Sequence, residues 1–76
     1  TSIAYQFPMA GDVSLRVFDA SGRLVRSLQS GFQKPGKYTV TWDGNDTRGH
    51  KVANGIYFYR LDAGGQVLTR KLLVIR

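Results

Sequence analysis

Apolar and polar residues alternate with period two in segment after segment of this chain, and no eleven-residue window carries a convincing apolar stripe at helical spacing. Such a pattern calls for short strands that each bury one face. Ile3, Tyr5 and Phe7 fall on one face of the first segment, with Ser2, Ala4 and Gln6 on the other. Pro8 then ends the ladder, because it has no N–H to give. Val13, Leu15 and Val17 repeat the alternation after Gly11-Asp12, and DASG at 19–22 supplies hairpin chemistry: Asp and Ser bond back to nearby backbone while Gly takes positive φ. RLVRSLQ at 23–29 alternates less cleanly, since Leu24 and Leu28 share a parity with Arg26 between them, which predicts an edge strand with a bulge. Tyr38, Val40 and Trp42 alternate strictly with Lys37, Thr39 and Thr41. Tyr57, Tyr59 and Leu61 alternate with Ile56, Phe58 and Arg60, so both faces are largely apolar and this strand is expected to be central. DAGG at 62–65 turns into a final strand, about QVLTRKLLVIR at 66–76.

Six or seven short strands separated by turn signals, with both prolines near strand boundaries, predict an all-β fold: a small antiparallel β-sandwich of the immunoglobulin-like kind. A chain of 76 residues removes only about 60% of its unfolded surface from water, so its core depends on large rings. Tyr5, Phe7, Tyr38, Trp42, Tyr57 and Tyr59 are the expected core aromatics. The absence of cysteine excludes a disulfide framework and a thiolate metal site, and the single histidine, His50, argues against zinc and against a histidine-dependent triad. The longest apolar run, LLVI at 72–75, is far short of the roughly 20 residues that span a bilayer, so no transmembrane segment is expected. The chain opens on Thr with no signal-peptide pattern, which suggests one domain, residues 1–76, cut from a larger exported protein. Eleven Lys and Arg against five Asp and Glu give +6, but the basic residues are scattered; a solvated surface is expected, without a nucleic-acid partner.

Two segments imitate ligand loops. GFQKPGK at 31–37 fits the phosphate-loop frame G-x-x-x-x-G-K, yet Tyr38 stands where Ser or Thr should bind Mg²⁺, Pro35 lacks an N–H, and a strand follows instead of a helix. DGNDTRG at 43–49 is similar to a calcium loop in Asp43 and Asn45, but its fifth, sixth and twelfth positions are Thr47, Arg48 and Asn54. Asp43, Asn45 and Asp46 are expected to fold onto backbone amides in Asx-turns, and Asn54-Gly55 to start the next strand. No G-x-S-x-G is present, and Asp43 with Asp46 is a weak acid/base pair, so no catalytic, cofactor-binding or metal residues are assigned. Phe18, Phe32 and Phe58 are candidates for stacking on a sugar.

The segment PGKYTVTWDGNDTRGHKVANGIYFYRL, continued to the end of the chain, resembles the immunoglobulin-like domain first described in the flagellar hook-capping protein, and more closely the type A C-terminal sorting domain of the type IX secretion system. The shared positions are Pro35, Gly36 and Tyr38; Trp42, Asp43, Gly44 and Asp46; Gly49 and Val52; Gly55, Tyr57 and Tyr59; then Arg70, Lys71 and LLVIR. TSIAYQFPMAGDVSLRVFDASGRLVRSL resembles the first three strands of the same family.

The sorting resemblance implies a non-catalytic C-terminal address attached to a cargo domain on its N-terminal side. An outer-membrane translocon of the type IX system would read it during protein transport, and a sortase-like peptidase would remove it. Its course would run through the periplasm to the cell surface or outside the cell. The recognition element would be Lys71, Leu72, Leu73, Val74, Ile75 and Arg76, a strand able to pair its edge with a receptor sheet unless both its faces are buried in the sandwich. The alternative is a structural or assembly module: hook-cap-like, or an accessory spacer or carbohydrate-binding module of a secreted enzyme.

Overall fold

The computed structural model describes residues 1–75; Arg76 lies outside the described residues. Six strands follow one another without a helix among the described residues: β1 (Ser2–Phe7), β2 (Gly11–Asp19), β3 (Leu24–Gln33), β4 (Gly36–Thr41), β5 (Gly55–Ala63) and β6 (Gln66–Val74). They form two antiparallel sheets, a pair β1-β4 and a four-stranded sheet in the order β3-β2-β5-β6. The all-β sandwich expected from the alternation is the fold observed.

Alternation fixes which side of each strand is dry. In β1, Ile3, Tyr5 and Phe7 are buried; in β2, Val13, Leu15 and Val17 are. The pair β1-β4 lies over the four-stranded sheet and the core divides into two linked clusters. One joins Ile3, Tyr5 and Phe7 to Val13, Leu15 and Leu61. The other joins Val17, Trp42, Tyr57, Leu72 and Val74, with Val25, Leu28 and Val52 packed around them. Leu15 and Val17 are fully sealed, and the aliphatic stripe of β2 forms the floor on which the rings pack.

Several expectations need correction. Tyr38 and Tyr59 are half-buried: the Tyr38 ring stacks on Tyr5 at 5.4 Å but sits on the short outer sheet, and its hydroxyl donates to the carbonyl of Lys34. Tyr59 packs against both clusters without being enclosed by either. The strand anticipated at 23–29 runs on to Gln33, and the last strand stops at Val74. β5 is interior to its sheet, but only one of its faces is covered; Ile56 is exposed and Phe58 half-exposed, because no element among the described residues packs on the outer side. The bulge expected near Arg26 is present, as register shifts where β3 pairs β2 between Leu15 and Arg16 and between Val17 and Phe18. GFQKPGK forms the end of β3, a turn at Lys34-Pro35 and the start of β4. The chain thereby crosses from one sheet to the other.

Candidate functional site

The polar connection between β4 and β5, residues 42–54, begins at a buried ring. Trp42 is 2% exposed, meets Tyr57 edge-on at 5.6 Å, and donates its indole N–H to the carbonyl of Asn45 at 2.9 Å. The apolar body of the ring anchors the loop while its one polar atom ties the loop's first turn. At the other end the Tyr57 hydroxyl donates to the carbonyl of Ala53 at 2.7 Å.

Within the loop the carboxylates are turned on the chain's own amides. Asp43 accepts from the Asn45 amide at 2.9 Å and faces the Arg26 guanidinium at 3.7 Å. Asp46 accepts from the amides of Arg48 at 2.9 Å and His50 at 3.0 Å, while its own N–H donates to the His50 carbonyl at 2.8 Å. Asp43 and Asp46 thus make the Asx-turns expected of them, whereas the Asn45 side chain, expected to do the same, instead donates to the Asp43 carboxylate at 3.4 Å. Bonding to the His50 amide, chiefly, holds the Asp46 carboxyl below its ordinary value of 3.8.

The same turn occurs a second time. Asp19 accepts from the amides of Ser21 and Arg23, each at 2.9 Å, and its N–H donates to the Arg23 carbonyl; Gly22 and Gly49 close the two turns with φ of 89° and 82°. DASGR and DTRGH are thus two copies of one device, an Asp whose carboxylate caps the amides two and four residues on, with a Gly in the left-handed region between them. The first copy joins β2 to β3.

The second copy does something the first does not. The Thr47 amide and the Thr47 hydroxyl both donate to the carbonyl of Val25 at 3.1 Å, and Arg26 reaches the Asp46 carbonyl at 3.2 Å. The loop is laid along the outer edge of β3. A bridge from Asn45 to Lys51 and a bond from the Val52 amide to the Gly44 carbonyl hold the loop's two limbs together across this contact.

The family positions fall into this framework. Gly36 opens β4, Gly44 bends the loop at φ 79°, Gly55 opens β5 at φ 152°, and Trp42, Asp43, Asp46, Gly49 and Tyr57 build the loop just described. The side chains of Trp42, Asp46 and Tyr57 bond to the chain's own backbone.

The predicted recognition strand is split by its pleat. Leu72 and Val74 are buried opposite Tyr57 and Gly55, whereas Lys71 and Leu73 stand opposite Phe58 and Ile56 on the exposed outer face. Ile75 is exposed beyond the strand end. Only one face of β6 is buried. The three phenylalanines proposed for sugar stacking do not assemble into a platform. Phe18 and Phe58 are direct neighbours, but the Arg16 guanidinium lies 5.6 Å above the Phe18 ring, and Phe32 sits at the far end of β3 opposite Asp12.

On that outer face Arg16 and Arg60 are paired directly across β2 and β5, a like-charge juxtaposition relieved by Asp62, which binds Arg60 at 3.0 Å and Arg16 at 3.4 Å. Hydrogen bonding from Arg60, foremost, keeps the Asp62 carboxyl low. Sequence reading passed over a third region. At the start of β6, Gln66 to Lys71 are six consecutive exposed residues. Beside them a cleft of about 390 Å³ is lined by Phe7, Pro8, Met9, Leu61, Val67 and Leu68. Apolar residues of both parities, Val67 and Leu68, were its signal in the sequence.

Comparison with known proteins separates the two resemblances. The family model of the FlgD Ig-like domain matches residues 2–70. The basal-body rod modification proteins FlgD of Salmonella typhimurium and Salmonella typhi are each 39% identical over 66 residues, covering 84% of this chain and 28% of theirs. The chain therefore spans little more than a quarter of the length of these relatives. A FlgD crystal structure from P. aeruginosa superposes with a TM-score of 0.67 at 24% identity over 95% of this chain and 58% of that one, a likeness of fold.

These matches correct the sorting reading. The family is the hook-capping one, so the secretion address, the type IX translocon and sortase partners, the passage through the periplasm, and the delivery to the cell surface or outside the cell are all withdrawn. The physical reason lies in the loop: Trp42, Asp43, Gly44, Asp46 and Gly49 serve its internal bonds and turns, so a pattern shared between two families on these positions reports a common fold rather than a common role. By the match over nearly its whole length, this chain belongs to the FlgD Ig-like domain family.

Proposed function

We propose that residues 1–76 act as one non-catalytic structural module, the immunoglobulin-like part of a flagellar assembly protein of the rod-modification, hook-capping kind. The observation that carries this reading is the 39% identity over 66 residues to the basal-body rod modification proteins of Salmonella. The disposition of polar groups supports it. Carboxylates that would be needed for acid/base or metal chemistry are bonded to the chain's own amides and guanidinium groups, which suits a rigid block whose contribution lies in its surface.

The test is a domain exchange. Replacing the matched 66-residue segment of the Salmonella typhimurium protein by this chain is expected to preserve hook assembly and swimming. A chimera that is stably produced and folded yet leaves cells without hooks, in a background where the native segment restores them, would overturn the assembly reading.

A further inference from the structure

We propose that the free edge of β6, with the cleft beside it, receives an extended acidic peptide segment that adds a fifth strand to the four-stranded sheet. This rests on the reading of the domain as an assembly module and names the surface and the kind of partner it would use.

The edge is built to be read. β6 is bonded to β5 alone, and its other side has no strand partner among the described residues. The two-residue turn Gly64-Gly65, with φ of 58° and 78°, closes the hairpin at Ala63 and Gln66. In such a hairpin the closing pair is hydrogen-bonded and bonded pairs alternate from there. Leu68, Arg70, Leu72 and Val74 are therefore bonded to β5, and the amides and carbonyls of Val67, Thr69, Lys71 and Leu73 point away from it. An added strand would meet four residues with their backbone groups already in register.

The neighbouring cleft supplies a place for a side chain. The pair β1-β4 stops short of the start of β6, leaving Leu68 exposed on the inner side, facing the corner made by Phe7, Pro8 and Met9. A residue opposite Leu68 on an incoming strand would point into this cleft, where an apolar side chain would be withdrawn from water. Two positions along on the same face it would stand beside Arg70, and on the opposite face beside Lys71.

Charge selects the occupant. Arg70 and Lys71 lie mid-edge without a carboxylate partner among the described residues; the three ion pairs belong to Arg16, Arg26 and Arg60. Two copies of this chain pairing antiparallel about Arg70 or Lys71 would set Arg70 against Arg70 or Lys71 against Lys71, which disfavours self-pairing in those registers. An extended segment with a pair of carboxylates opposite Arg70 and Lys71 and an apolar residue opposite Leu68 satisfies all three features.

The experiment titrates the ¹⁵N-labelled 76-residue chain with a synthetic peptide of about ten residues, alternating Val and Thr around a central Glu-Glu pair, and with its Lys-Lys counterpart. Saturable amide shifts at Val67, Thr69, Lys71 and Leu73 are expected with the acidic peptide alone. Thr69→Pro removes an amide that points away from β5, so it should abolish these shifts while leaving the remaining β5-β6 resonances in place. Arg70→Glu combined with Lys71→Glu should weaken the acidic peptide about tenfold or more, since two exposed attractions become repulsions, and should let the Lys-Lys peptide bind. This double variant decides the matter if the proline variant does not fold. Equal binding of both peptides, shifts centred away from β6, no binding at all, or dimerisation of the free chain through β6 would each overturn the proposal. None of these results bears on the domain exchange, which can succeed while this edge stays unused.

Discussion

The four-stranded sheet ends in two edges, and the chain treats them oppositely. Along β3 the register slips twice, and the loop after Trp42 lies on the strand, placing both the amide and the hydroxyl of Thr47 on the Val25 carbonyl and the Arg26 guanidinium on Asp46. Along β6, nine residues pair with β5 in unbroken register, and the other edge has no strand partner among the described residues. Bulges, covering loops and basic side chains are all ordinary protection against unwanted strand pairing. The loop's bonds close the β3 edge at Val25 and Arg26. On the other edge, among the described residues, Arg70 and Lys71 are the charged side chains that an approaching strand would meet. The contrast gives the loop that begins at Trp42 a physical role against β3, where Thr47 and Asp46 meet Val25 and Arg26, rooted in the core by one indole.

This contrast can be broken most severely at its root. Trp42→Ala empties a buried site and frees the loop at once, with an expected loss of about 3–5 kcal/mol. Urea denaturation of the variant should show an unfolded or barely folded chain; near-native stability would mean that the loop does not depend on the ring. A gentler break is Thr47→Val, which keeps the amide bond to Val25 and removes the hydroxyl one. It should cost about 0.5–1.5 kcal/mol and quicken hydrogen exchange in the 44–52 limbs, leaving β6 untouched. If exchange rises equally along β6, the two edges are coupled and the comparison fails.

The bare edge should respond differently. Val67→Lys adds charge to an exposed position and should change stability by less than about 0.5 kcal/mol, while lowering any tendency of the chain to associate at high concentration. Light scattering against concentration measures it. The smallest effect is a slope in pH. Asp19, Asp46 and Asp62 all sit below their ordinary value of 3.8 in the folded chain, through bonds from Ser21, His50 and Arg60 respectively. A depressed folded value means that the unfolded chain takes up protons first. Their contribution is therefore complete above that ordinary value and is lost as pH falls through it toward the lower folded values. Asp46→Asn keeps an acceptor but removes the titration, so the acid limb of the unfolding midpoint against pH should flatten for the covered edge; an unchanged limb would remove Asp46 from the cause.

Legibility followed the range of the interactions. The strands of β1, β2 and β4 could be read because alternation is a property of neighbours two apart, and the sealed Val13, Leu15 and Val17 are the plainest case. The Asx-turns at Asp19 and Asp46 could be read because their donors lie within four residues. The bulge in β3 announced itself through the broken parity of Leu24 and Leu28. Tyr38 and Tyr59 were misjudged because ring size says that a side chain wants burial and not whether a facing sheet is wide enough to cover it. The role of the chain was misjudged for a related reason: two families that share a loop share its residues, and those residues are silent about what the surface meets.

By itself, then, the sequence determined an all-β sandwich, the dry face of each well-alternating strand, and the self-bonded character of the 43–49 turn. Only the tertiary structure decided that the loop covers β3, that β5 is open on its outer side, and that β6 ends the sheet with its backbone and a neighbouring apolar cleft exposed. Pleat and turn chemistry act between residues a few positions apart and are written in local order. Which edge finds a cover depends on segments more than twenty residues apart, Val25 and Thr47, meeting in space, and nothing in the local pattern of either records the other.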